Sequence, residues 1–130
     1  MPGFHRFLLV DNVAENRFLL SKALLKAFPD AVVSECQDTS TAIALISGES
    51  CSVIVVHQAR DLDGSTFIDL VRRYVPRAPI VLISEEPTPP GSSQGAANRV
   101  VSWDAWQSIG SVCGELIAQN EKEGNSNRPA

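Results

Sequence analysis

Long apolar runs are missing from this chain. No stretch approaches the roughly 18 consecutive apolar residues that span a bilayer, so no membrane-embedded segment is expected. Positive charge is not in excess either: 11 Lys and Arg stand against 15 Asp and Glu, a net charge of −4. That balance leaves no electrostatic footprint for direct binding of nucleic acid or an anionic membrane. Cysteine is scarce. Cys36, Cys51 and Cys113 are odd in number and lack metal-ligand spacing, which reads as buried thiols in a reducing, cytoplasmic setting. The start, Met-Pro-Gly-Phe-His-Arg, leads straight into a strand pattern, so no signal peptide is expected. There is no internal repeat. Gly91 and Gly95 follow no strand and open no helix, which argues against a phosphate-cradling loop.

What is present is enough apolar residue, 44% of 130, to build one domain with a real core. Val53 to Val56 is four consecutive β-branched residues, the pattern of a central parallel strand buried on both faces. The apolar run stops at His57, and Asp63-Gly64 marks a turn before the next helical pattern. Phe7 to Val10, Ala31 to Cys36, Ile80 to Ile83 and Arg99 to Ser102 read as four further strands.

Helical spacing falls between these strands. From Ala14 to Phe28, Phe18, Leu20, Leu24, Leu25 and Phe28 form the expected apolar face, with Arg17, Lys22 and Lys26 toward water. Asp38, Thr39 and Ser40 offer caps for a short helix through Ile46, closed by Gly48. A third helix is expected from about Ser65 to Tyr74. Asp104 with Gln107 predicts a capping box for a last helix carrying Trp106, Ile109, Val112, Cys113, Leu116 and Ile117. Between Glu85 and Gly95, three prolines and two glycines in eleven residues argue against a full helix. The expected organisation is one domain over residues 1–119 and a flexible polar tail over 120–130.

Strands alternating with helices at this spacing imply an α/β fold, a doubly wound parallel sheet with right-handed crossovers and helices on both faces. Ligands of such sheets gather at the carboxyl ends of the strands. Those ends collect Asp11 and Asn12, His57, Ser84 and Glu85, and Ser102 with Trp103.

These residues resemble the receiver domains of two-component response regulators. Leu8-Leu9-Val10-Asp11-Asn12 is similar to the family's first strand with its acidic pair. Asp63-Gly64 is similar to the turn that opens its third helix, and Ser84 to its hydroxyl after strand four. The resemblance spans roughly residues 6–119. It implies a five-stranded flavodoxin-like, CheY-like sheet, and the prolines and glycines after strand four set this chain apart, with the family's fourth helix expected to be shortened or replaced by loop.

It also implies what the active family needs: an aspartate that accepts a phosphoryl group, magnesium on the acidic pair, a hydroxyl and a lysine. Position by position, Asp11 matches the first acid, and Asn12 stands in place of the second. His57 stands at the phosphoacceptor position, Ser84 replaces threonine, and Ser102-Trp103-Asp104 stands where the family has Lys-Pro. Magnesium prefers anionic oxygens in near-octahedral array, so its site is weakened, with Asp11 and Asn12 its only candidates. Asp61 and Asp63 lie in the loop beyond the strand end.

His57 has several readings. It can be a hydrogen-bonded structural residue, partnered by Asp11 or Glu85, filling the pocket in place of metal and lysine. Asp11, His57 and Glu85 can instead form a zinc or manganese site. His57 can also accept a phosphoryl group, although the pocket lacks the cations that stabilise the transfer. Ser92-Ser93 is a weaker candidate for modification, and no Ser-His-Asp arrangement with an oxyanion hole is visible. Trp103 and Trp106 read as core or half-buried residues, or as part of a partner surface.

The expected function is a cytoplasmic receiver-like module of a phosphorelay, a pseudo-receiver and not an enzyme. It would act as a phosphorylation-independent protein-interaction domain, without a required cofactor. Its partner would be a histidine kinase, an output domain or a second copy in a homodimer, and neither nucleic acid nor membrane directly. The alternatives are an active phosphoacceptor using His57 or a loop aspartate, and a small α/β enzyme or ligand-binding module on the same fold.

Overall fold

The computed structural model describes residues 5–48, 51–58, 64–85 and 97–126. The described strands are β1 (Arg6–Val10), β2 (Val32–Cys36), β3 (Val53–Gln58), β4 (Ile80–Ser84) and β5 (Arg99–Ser102), and the first four alternate with helices. The helices are α1 (Ala14–Ala27), α2 (Thr39–Gly48), α3 (Gly64–Tyr74) and α4 (Ile109–Ser126), the last preceded by a 3-10 helix over Trp103–Ser108. The sheet is parallel throughout, in the order β2-β1-β3-β4-β5.

Strand alternation divides the core in two. Leu8, Val10, Ile54, Val56, Ile80 and Leu82 pack against Ala42, Ile46, Phe67, Ile68 and Val71 of α2 and α3. Phe7, Leu9, Val53, Val55, Val81, Ile83 and Val101 face Leu20, Leu24, Ile109, Cys113 and Leu116 of α1 and α4. Both faces of β1, β3 and β4 are therefore covered, which is why their sequences are continuous apolar runs. The edge strands β2 and β5 are less buried, with Val32 and Val100 exposed.

Several local expectations change. Leu20 and Leu24 are buried, but Phe18 is 61% exposed and Leu25 is exposed as well. The face of α1 that meets the sheet is narrower than its apolar content, and the Lys22 ammonium sits 5.2 Å over the Phe18 ring. Arg17 is half-buried and turned toward the sheet rather than to water. Asp38 caps α2, accepting from the Thr41 amide at 2.7 Å, a bond that holds its carboxyl below the usual range.

The expected Asp104 capping box does not form at the last helix. Ser102 is the cap, its hydroxyl accepting from the Asp104 amide at 3.3 Å, and a non-helical Ala105 kinks the chain within the 3-10 segment. The helix then runs on to Ser126, past Asn120 where the apolar spacing stops. The Pro/Gly-rich stretch 86–96, including Gly91, Ser92, Ser93 and Gly95, lies outside the described residues, as do Asp61 and Asp63.

None of the three thiols is in a disulfide. Burial, helped by the nearby Asp38 carboxylate, pushes Cys36 up from 9.0 to about 11, and burial pushes Cys113 up to about 12. Cys36 and Cys113 each hold the thiol proton more tightly folded than unfolded. Their contribution to stability is therefore complete below about pH 9 and is lost as the pH rises toward the folded values. Denaturation midpoints should fall between neutral pH and about pH 10, and Cys113→Ala should flatten that fall. A midpoint that holds steady over this range would contradict the assignment.

Candidate functional site

The site follows from register. Val10 of β1 pairs with Val56 of β3, so the next residues along, Asp11 and His57, come side by side at the carboxyl edge. Both continue the row that faces α1 and α4, Phe7-Leu9-Asp11 on one strand and Val53-Val55-His57 on the other. His57 pairs with Ile83, which puts Glu85, two residues on, on the same side of the sheet. A one-residue difference in register would have sent His57 to the opposite face.

The side chains of Asp11 and His57 are both 0% exposed. His57 Nδ1 lies 2.6 Å from Asp11 Oδ2, a short charge-assisted hydrogen bond. A carboxylate can only accept here, so Nδ1 carries the proton. Asp11 Oδ1 accepts from the Val13 amide at 2.8 Å, so both oxygens of this carboxylate are committed. The Asn16 side-chain amide lies 3.4 Å from the same ring nitrogen. Arg17 donates to the Asp11 carbonyl at 2.6 Å and approaches Glu35 at 3.4 Å, fixing the chain between β1 and α1.

The other ring nitrogen, Nε2, is 3.3 Å from Glu85 Oε1. That is ion-pair distance, and Nε2 is buried without a hydrogen-bond partner. Trp103 covers the ring face, its centroid 4.7 Å from that of His57 at an interplanar angle of 13°, and Trp106 stacks behind it at 6.0 Å. The imidazole is thus held at one edge by a carboxylate and on one face by an indole.

The other sequence candidates fall elsewhere. Ser84 is buried, but it pairs in register with Gln58 and Ser102 and continues the Leu82 row, which faces α2 and α3. Ser102 is exposed and its hydroxyl is engaged in the cap, so it does not line the His57 pocket. Asn12 is half-buried, with Oδ1 enclosed and unpartnered. Asn16 and Arg17 are neighbours that sequence patterns do not assign to the site, whereas Trp103, expected at the strand ends, proves to be the residue stacked on the His57 ring. For Trp103 a signal existed: it directly follows β5 and shares the parity of Val101, which faces α1 and α4.

Magnesium is the ion implied by the resemblance, and the described residues do not fit it. It takes several anionic oxygens in octahedral array, whereas Asp11 supplies one carboxylate whose two oxygens each already accept a hydrogen bond, and Asn12 brings one neutral amide oxygen. Among the described residues, no group of three or more His, Cys, Asp and Glu side chains is placed to hold a metal ion. No helix among them is long and apolar enough to cross a membrane.

A doubly wound sheet of this strand order, with a buried polar cluster at the ends of β1 and β3, defines a CheY-like α/β fold. Solved structures of receiver domains share it. A response regulator receiver domain from Methanospirillum hungatei JF-1 superposes with a TM-score of 0.80 at 17% identity, over 93% of this chain and 99% of that one. The signal receiver domain of an HD domain-containing protein from Pseudomonas fluorescens Pf-5 gives 0.76 at 15% identity, over 93% and 99%. The response regulator TrrA from Thermotoga maritima, in complex with magnesium and beryllofluoride, gives 0.75 at 16% identity, over 87% and 99%. No protein-family model and no curated protein matches the sequence. At these identities the likeness establishes the receiver fold, and function has to be argued from the site.

Proposed function

We propose that this chain is a receiver-fold signalling module that works without aspartyl phosphorylation, through contacts with a protein partner. The observation that carries the reading is His57. It is fully buried near the end of β3 and hydrogen-bonded to Asp11, and by the sequence resemblance it stands where the family carries its acceptor aspartate. A phosphoryl group arriving there would meet the Asp11 and Glu85 carboxylates and no described lysine, so its charge would be opposed rather than stabilised. Trp103 on the ring face further restricts the approach.

On this reading the module comprises residues 1–119, α4 carries the chain on to Ser126 as its connection outward, and no catalytic role is assigned. The partner is a kinase, an output domain or a second copy, in the cytoplasm. The module is held in one state, or is shifted by whichever partner binds one arrangement better. The structure of TrrA with magnesium and beryllofluoride supplies the test. Acetyl phosphate or beryllofluoride with magnesium should leave the amide resonances of Asp11, His57 and Ser84 in place. Shifts at these amides that vanish on chelation would overturn the reading and favour an active acceptor at His57 or at a loop aspartate.

A further inference from the structure

We propose that the outer face of α1 is a self-association surface, on which a second copy of this chain lays its own α1 antiparallel. The inference names the partner that the signalling reading leaves open, and to that extent it rests on that reading.

The argument starts from residues that the fold does not use. Leu20 and Leu24 turn α1 to the sheet, and Ala23 and Ala27 set it against α4 at Gly110. Phe18 and Leu25, one heptad apart, fall on the opposite side of the helix and are 61% and 39% exposed. They leave an apolar stripe in water along two turns of α1. Glu15, Lys22 and Lys26 are exposed as well, and at about 3.6 residues per turn all three fall along one flank of that stripe.

A two-fold axis makes this pattern self-complementary. Phe18 and Leu25 are centred between Ser21 and Lys22, and Glu15 and Lys26 between Leu20 and Ser21. The two centres differ by one residue, about 1.5 Å along the helix. With the axis there, Phe18 meets the partner's Leu25, and the same flank of both copies comes face to face. Glu15 then lies level with the partner's Lys26, so two ion pairs border two apolar contacts.

Lys22 is the flank residue nearest the axis, where it would face its own copy. Its ammonium is drawn 5.2 Å over the Phe18 ring, toward the start of the helix. That bend carries the two ammonium groups to about 10 Å apart, a distance at which physiological salt screens them. A foreign apolar helix would also cover Phe18 and Leu25, but it does not require an acid and a base placed equidistant from the centre of the stripe. A second copy does. One helix from each copy buries less than the roughly 1,200 Å² of a standard interface, so the association is weak and concentration-dependent.

The experiment is sedimentation equilibrium of the full chain from micromolar to millimolar concentration, with circular dichroism as the check on folding. The parent should pass from monomer to dimer. Phe18→Asp, at a surface position, should remain monomeric throughout, and Leu25→Ser gives the same reading should Phe18→Asp unfold. Glu15→Lys and Lys26→Glu should each weaken the dimer at least about tenfold, since each turns two attractive pairs into two repulsive ones. Mixed together, these two single variants should associate again, because an acidic flank then meets a basic one. Three results overturn the proposal: a parent that stays monomeric at millimolar concentration, which would leave the stripe to a foreign helix; a dimer that survives the loss of Phe18 or Leu25; or single variants that associate no better mixed than alone. The beryllofluoride experiment reads the strand ends instead. A monomeric parent leaves the phosphorylation-independent reading standing, and a beryllofluoride response overturns that reading without dissolving the dimer.

Discussion

His57→Ala is expected to lose about 3–5 kcal/mol of folding stability, because it strands the buried Asp11 carboxylate without its partner. Asp11 cannot turn to water, being 0% exposed, and its other oxygen remains tied to the Val13 amide. The Trp103 ring also loses the surface on which it stacks. Against a total stability of roughly 5–15 kcal/mol for a natural domain, this is among the largest losses one substitution can cause.

A double-mutant cycle isolates the coupling. Asp11→Ala alone should also be severe, since it removes both the ring's partner and the bond to Val13. The double variant should cost less than the two singles together by about 0.5–3 kcal/mol, because the second change removes a group that the first left unpaired. Urea denaturation of the four proteins gives the answer. Additivity within the error of the singles would mean that His57 and Asp11 do not support each other.

The second large effect concerns Gly110, at the start of α4. A β-carbon added there would lie 2.6 Å from the Ala27 β-carbon and 3.4 Å from the Ala23 carbonyl. The obstacle on α1 is a short side chain fixed to its backbone, so it cannot swing aside. Gly110→Ala must push α1 and α4 apart, and with them the layer formed by Leu20, Leu24, Ile109 and Cys113. The expected cost is about 1–3 kcal/mol, even though alanine is the better helix former by about 1 kcal/mol. Ala27→Gly should partly rescue the variant by restoring the close approach. Gly114→Ala is the control, since a β-carbon there meets only the Phe28 ring at an ordinary 3.6 Å. If Gly110→Ala proved no less stable than the parent, the tight packing of α1 on α4 would be refuted.

Much of the sheet was legible in the chain. The β-branched runs at Val53–Val56 and Ile80–Ile83 can be satisfied only where both faces are covered, so they announced the central strands. The helical face of α1 was legible in kind and not in width. Phe18 and Leu25 match the period as well as Leu20 and Leu24 do, but periodicity cannot say how much of a helix the sheet will cover. The cap of the 3-10 segment was misplaced for a similar reason. Asp104 and Ser102 are both good acceptors, and the path of the backbone after β5 decided between them.

The candidate site divides along the same line. By itself, the sequence determined that an imidazole ends the third strand, that a carboxylate ends the first, and that no lysine follows the fifth, because these are matters of residue type at strand ends. Tertiary structure alone decided the pairing. Parallel register set Asp11 beside His57 and aimed both at α1 and α4, while it turned Ser84 toward α2 and α3. The turn after β5 released Ser102 to cap a helix and laid Trp103 on the ring. The physical reason is that side-chain direction in a strand alternates with every residue. Which face a polar group reaches therefore depends on register between strands distant in the chain, a quantity that no local pattern contains.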